Sequence, residues 1–177
     1  HNGGVFAKGQ SEEIYFVIGD DNKRTIFQND PSVPSSNETG SIFKIHTDDD
    51  NRVELFAVGI RNSFGLAVDP LTGNLWQTEN GMQVYDEINL VENRFNSGWS
   101  AITGPSDRVD AITDPVLFEK GIQSLEGFVY SDPEFSWYNA VGSTAIAFPD
   151  MTNFAKYQDW LFVGDFNHGK IYKFQLN

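Results

Sequence analysis

Apolar residues in this chain fall in short runs separated by Gly, Pro, Asn and Asp, a pattern that suits strands joined by frequent turns better than helices. Three segments repeat one theme: an apolar strand, a tight turn, a second apolar strand ending in Gly-Asp or a relative, a polar loop, and a further alternating strand. The first copy runs from Gly3 through 13–20 to 41–46. The second takes 64–69, turns at 70–73, continues through 74–81 and closes on 86–91. The third uses 144–148, 160–165 and 170–175. Alternation is clear where Ile42 and Lys44 share a strand, whereas the inner strands are almost continuously apolar, as strands covered on both faces must be.

Strand–turn–strand units of this kind are the grammar of a β-propeller blade. The pattern predicts an all-β chain with blade-like units at about 1–58, 59–103 and 128–177, and a long insertion at 104–127. The copies are spaced more widely than the usual repeat of about 40–50 residues. Long loops at 28–40 and 104–127 account for the excess, and Asp114-Pro115 inside the second reads as the start of a short helical turn. A propeller ring needs roughly four to eight blades, so about three describe part of one, with strand edges left to be covered.

Composition narrows the function. Twelve Lys and Arg stand against 25 Asp and Glu, a net charge of -13, which repels phosphate backbones and anionic lipid and argues against a nucleic-acid partner. There is no cysteine, so disulfides, thiolate metal sites and cysteine catalysis are excluded. No apolar run is long enough for a membrane span. The sequence opens on His1 with no leader pattern, and any export signal is expected upstream of it.

Several polar groups stand at strand ends, where a propeller places chemistry. Arg61-Asn62, just before the strand at 64–69, offers a planar cationic fork beside an amide, suited to a carboxylate-bearing planar ligand; a structural ion pair and a turn cap are the plainer alternative. Asn80-Gly81-Met82 ends the next strand with a bare backbone whose carbonyls, with the Asn80 amide, could face a hard cation, or simply form a turn. In Asp86-Glu87-Ile88-Asn89 the strand period sends Asp86 and Glu87 to opposite faces, one toward a metal and the other toward solvent, or both toward solvent. His1 with Asp20 could form a carboxylate-held general base, although a terminal His and a Gly-Asp turn have plainer uses. His46 and His168 read as strand-end or loop residues, and the four tryptophans as packing groups. Asn37-Glu38-Thr39 matches a glycosylation acceptor.

Taken in order, His-x-Gly-Gly at 1–4, Ile-Gly-Asp at 18–20, Gly-Ile-Arg-Asn-Ser-Phe-Gly at 59–65, Thr-Glu-Asn-Gly at 78–81, Asp-Glu-Ile-Asn-Leu at 86–90 and Asn-Ser-Gly-Trp at 96–99 resemble the glucose/sorbosone (aldose sugar) dehydrogenase family. The resemblance implies three blades of a six-bladed propeller that uses pyrroloquinoline quinone (PQQ) and calcium. By that likeness His1 falls on the catalytic base and Asp20 on its carboxylate partner. Arg61 and Asn62 fall on cofactor contacts, and Gly81 and Met82, beside Asn80, on the calcium carbonyls. The implied reaction is oxidation of the C1 hydroxyl of an aldose, or a related polyol, with hydride transfer to PQQ and an external electron acceptor; an extracellular or periplasmic location goes with it. Two departures stand out: Met82 replaces a usual Pro, and Asn-Ser-Gly-Trp-Ser at 96–100 replaces the commoner Asn-Tyr-Gly-Trp-Pro. The competing readings are a non-catalytic propeller that binds a glycan or a protein, and a calcium-dependent lactone hydrolase built on Asp20, Asn80 and Asp165.

Overall fold

In the computed structural model, residues 4–22, 25–32, 38–48, 51–122 and 125–176 are described. Two expectations, on His1 and on the glycosylation acceptor Asn37, lie outside them. The first alternating segment forms an antiparallel meander of β1 (Gly4–Lys8), β2 (Glu13–Ile18), β3 (Ser41–His46) and β4 (Val53–Val58). The second builds β5 (Gly65–Val68), β6 (Leu75–Glu79) and β7 (Val84–Val91). The third builds β11 (Ser143–Ala147), β12 (Trp160–Asp165) and β13 (Lys170–Gln175). Local chemistry explains the tight connections. At the β5–β6 turn the Asp69 carboxylate accepts the Leu71 N–H at 2.8 Å and the Thr72 hydroxyl at 2.7 Å, a side-chain-closed turn that pins the hairpin register.

The units do not divide where the sequence pattern places them. Between β7 and the fourth strand of the second sheet, β10 (Phe135–Asn139), the chain makes an excursion over 92–134. That excursion adds two short strands, β8 (Phe95–Asn96) and β9 (Val129–Tyr130), in parallel to the outer edge of β4. Residues 128–139, expected to open the third unit, therefore complete the first and second sheets. The reason is physical: a fourth strand pairs with whichever edge is free, and its own alternation carries no label for that edge. The helical turn expected at Pro115 is present as α1 (Pro115–Glu119), with Asp114 accepting the N–H groups of Val116 and Leu117 at 3.1 Å each.

The sheets stand side by side through their first strands, with β5 packed between β1 and β11. Adjacent antiparallel meanders, here of four, four and three strands, meeting at their first strands are blades of a β-propeller. Val17, Ile42, Ala57, Ile60 and Leu66 fill the seam between the first two sheets. Trp76, Ile88, Ile146, Leu161 and Val163 fill the next. Each Val, Ile or Leu among them contributes about 1.5–3 kcal/mol on burial. Trp137 bridges the second seam, its ring 4.9 Å from Phe135 and 5.1 Å from Tyr172. A third cluster, including Tyr85, Ile102, Leu117 and Ile122, lies under the excursion. Among the described residues no helix is long and apolar enough to cross a membrane.

Candidate functional site

Antiparallel register brings the ends of β2, β6 and β12 and the starts of β5, β7 and β11 to one end of the sheets. Backbone bonds stitch that end together. The Asp20 N–H donates to the Arg61 carbonyl at 2.9 Å, and the Asn80 N–H to the Asn62 carbonyl at 2.8 Å. The Asn80 side-chain amide donates to the Ser143 carbonyl at 2.8 Å. Asp20, Arg61, Asn62, Asn80 and Gly81, drawn from two sheets, thus share one neighbourhood.

Arg61 is buried, and its Nη1 lies between two carbonyl oxygens, 2.7 Å from Asn80 and 2.9 Å from Gly81. Its guanidinium carbon lies 5.4 Å from the centre of the Trp99 ring, a cation–π distance. Trp99 is fixed from below. Its carbonyl accepts the Asn29 amide at 2.7 Å, and its N–H donates to the Gly59 carbonyl at 3.1 Å. Asn29 and Asn96 exchange two amide bonds at 2.7 and 2.9 Å. Gly59, at φ +71°, passes so close that a Cβ there would sit 2.3 Å from Asn96 Oδ1.

The backbone at Gly81 is equally constrained, since a Cβ would sit 1.9 Å from the Val84 carbonyl oxygen. The Gly81 N–H donates to Asp86 Oδ1 at 3.1 Å, which stiffens the turn that leads into Met82. Met82 itself is exposed. The Asn80 side-chain nitrogen donates to Ser143, and it is the Asn80 backbone oxygen that accepts from the cationic group. The residues fit a hard cation by this test: a glycine cradle with no room for a side chain, and two carbonyls already drawn to one positive charge. Asn62 is buried and its Oδ1 has no hydrogen-bond partner, so this acceptor suits a ligand N–H or O–H donor.

The acids beneath the site overturn one expectation. Neither Asp86 nor Glu87 faces solvent; both are almost fully buried. Asp86 Oδ2 accepts the N–H groups of Val141, Gly142 and Ser143 at 2.9, 2.6 and 3.0 Å, clamping the start of β11 to the Gly81 turn. Strand period predicts opposite faces correctly, but both faces of β7 are covered, one by the third sheet and the other by the excursion. Glu87 stands across from Glu79 in register. Glu79 accepts the Arg61 N–H at 2.5 Å, the Gln77 amide at 2.6 Å and the Ser97 hydroxyl at 2.8 Å. Glu87 accepts from the Asn89 amide at 3.1 Å and from the Gly104 N–H. Burial pushes the Glu79 carboxyl up to about 7 against the pull of its donors. Burial and then the Glu79 charge push Glu87 up to about 8. The side-chain oxygens of Gln77 and Asn89 are buried nearby and accept no hydrogen bond.

Glu79, Ser97 and Trp99 are the supporting residues whose roles sequence reasoning misses. A signal existed: Gln77, Glu79, Glu87 and Asn89 alternate as polar residues on two neighbouring strands, which marks one polar face. Asp165, a candidate for the lactone-hydrolase reading, is instead engaged with His168, whose ring Nδ1 is 2.9 Å away, and with the Tyr172 hydroxyl at 3.0 Å. His46 ends β3 and pairs with Glu54 at 2.9 Å. A depression of about 320 Å³ opens beside Asn80, lined by Phe64, Gly142, Ser143, Thr144 and Phe166, with both phenylalanines exposed. Another, of about 510 Å³, lies at the opposite end of the second seam near Asp69 and Trp76 and touches none of the site residues.

Known proteins resemble this chain in sequence and in fold. The aldose sugar dehydrogenase YliI of Escherichia coli K12 is 29% identical over 113 residues, covering 64% of this chain and 29% of that protein. Quinoprotein glucose dehydrogenase B of Acinetobacter calcoaceticus is 28% identical over 131 residues, covering 60% of this chain and 27% of that one. Among solved structures, the soluble aldose sugar dehydrogenase of Escherichia coli in its apo form superposes with a TM-score of 0.73 at 23% identity, over 99% of this chain and 51% of that one. The PQQ-bound aldose sugar dehydrogenase of Streptomyces coelicolor gives 0.70 at 21% identity, over 100% of this chain and 46% of that one. The chain spans about half the length of these structures, and the likeness establishes the propeller fold. The sequence profile described as Glucose / Sorbosone dehydrogenase matches residues 1–177, and the chain belongs to that family.

Proposed function

We propose that this chain contributes one wall of the active site of a PQQ- and calcium-dependent dehydrogenase that oxidises the C1 hydroxyl of an aldose or related polyol and passes the electrons to an external acceptor. The observation that carries the reading is the carbonyl pair of Asn80 and Gly81, already gathered on the positive charge of Arg61, with Asn62 next to it in the chain. The relatives named for quinoprotein and aldose dehydrogenase chemistry support it. When bound, PQQ supplies the two-electron acceptor that takes the hydride, and calcium the Lewis acid that polarises its carbonyl.

The protein's own part is binding and proton handling. Gly81 and Met82, with the Asn80 carbonyl, hold the cation; Arg61 offers a fork to a carboxylate and Asn62 an acceptor to a ligand donor. His1 takes the hydroxyl proton, and Asp20, buried and fixed through its backbone to Arg61, holds the imidazole in the right tautomer. An extracellular or periplasmic location accompanies this function.

Calorimetric titration with PQQ, with and without calcium, tests the reading, followed by dye reduction with aldoses. Calcium-dependent PQQ binding with turnover supports it. Glycan or protein binding with no PQQ uptake would instead favour a non-catalytic propeller.

A further inference from the structure

We propose that Arg61 is the site's internal cation: its guanidinium occupies the seat that calcium takes, and metal binding exchanges the two, releasing the fork toward an anionic ligand. The inference deepens the proposed function and rests on its placing calcium at Gly81. A single nitrogen, Nη1, bridges Asn80 O at 2.7 Å and Gly81 O at 2.9 Å. Calcium needs oxygens at about 2.3–2.6 Å, so it would fall in the volume that nitrogen fills. Two positive charges cannot share those carbonyls at such separations.

The backbone of Arg61 is fixed during the exchange, because its N–H is held by Glu79 at 2.5 Å and its carbonyl by Asp20 at 2.9 Å. Only the side chain moves. Leaving the carbonyls frees the planar donors of the guanidinium, whose matching partner is a carboxylate. Cation and carboxylate ligand therefore favour one another: each is bound better once the other has drawn its share of the site, and the coupling is reciprocal. Trp99, stacked 5.4 Å from the guanidinium carbon, is positioned to report the departure.

The test is calcium titration alone, without quinone or sugar, on the wild-type protein and on Arg61→Met, with circular dichroism as the check on folding. Exchange predicts that Arg61→Met binds calcium at least about tenfold more tightly, the equivalent of one charged hydrogen bond no longer in competition. It also predicts a calcium-dependent change in tryptophan fluorescence in the wild type that is lost in Arg61→Met and in Trp99→Phe. Removing a nearby positive charge would itself favour calcium, so a crystal structure of the calcium-saturated wild type decides: the guanidinium must have left both carbonyls. That structure also suffices if Arg61→Met does not fold. Unchanged or weaker calcium binding in a folded variant, a guanidinium still on Asn80 O and Gly81 O beside the metal, or no calcium bound by either protein would overturn the exchange. PQQ-dependent turnover, measured separately, distinguishes this failure from failure of the dehydrogenase reading.

Discussion

Asp86 joins the Gly81 turn to the segment 141–143 that enters β11 through four backbone N–H groups, more than any neutral side chain of its size could accept. Asp86→Asn should cost on the order of 2–4 kcal/mol in urea denaturation, because an amide nitrogen would face donors in a buried site. Glu79 and Glu87 act in the opposite sense. Their carboxyls ordinarily titrate near 4.5 but are pushed up to about 7 and 8, so the folded chain holds more protons than the unfolded one across that interval. Stability should therefore fall as pH rises from about 4.5 to about 8 in cation-free buffer. Glu87→Gln should flatten that slope and stabilise the protein at pH 8 by on the order of 1–3 kcal/mol, read from the denaturation midpoint. The sequence exposes Asp86-Glu87 as two acids on opposite strand faces, yet whether a face is wet depends on the excursion and the third sheet covering β7. No local pattern carries that information.

Elements were far more legible than their assignments. The strands around 64–69, 74–79, 160–165 and 170–175 follow from short apolar runs bounded by Pro-Leu-Thr-Gly and Asn-His-Gly turns. β8 and β9 were not visible, since two-residue parallel bridges leave no periodic trace. The Gly81 turn was recognisable as a bare backbone, but the guanidinium resting on its carbonyls was not, because sequence does not say which partner a buried Arg takes. Gly81→Ala should remove measurable calcium binding and cost at least about 2 kcal/mol, as a Cβ there would drive into the Val84 carbonyl. Calorimetry and thermal melting would show both. Asn96→Ala should loosen Trp99 by removing the reciprocal Asn29 pair, with a loss of about 1–3 kcal/mol and a blue- or red-shifted tryptophan emission.

At the scale of the whole molecule the net charge of -13 opposes any anionic ligand, while Arg61 and a bound cation attract it at close range. Long-range repulsion is screened first, since the Debye length shrinks from about 30 Å at 0.01 M to about 8 Å at 0.15 M salt. The association rate of PQQ, followed by stopped-flow absorbance, should accordingly rise over that range; a fall would mean that local positive charge dominates the approach. The excursion from 92 to 134 has a kinetic consequence. Strands β5 to β7 are neighbours in sequence and can pair early, whereas β10 must wait until the excursion has settled on β4. The N–H groups of 141–143 reach Asp86 only after that wait, so the turn bearing Gly81 is braced late in folding. In pulse-labelled hydrogen exchange, amides of β6 should become protected before those of 141–143. A chain halted before residue 139 would carry the right residues for the cation seat but lack the brace that sets their spacing.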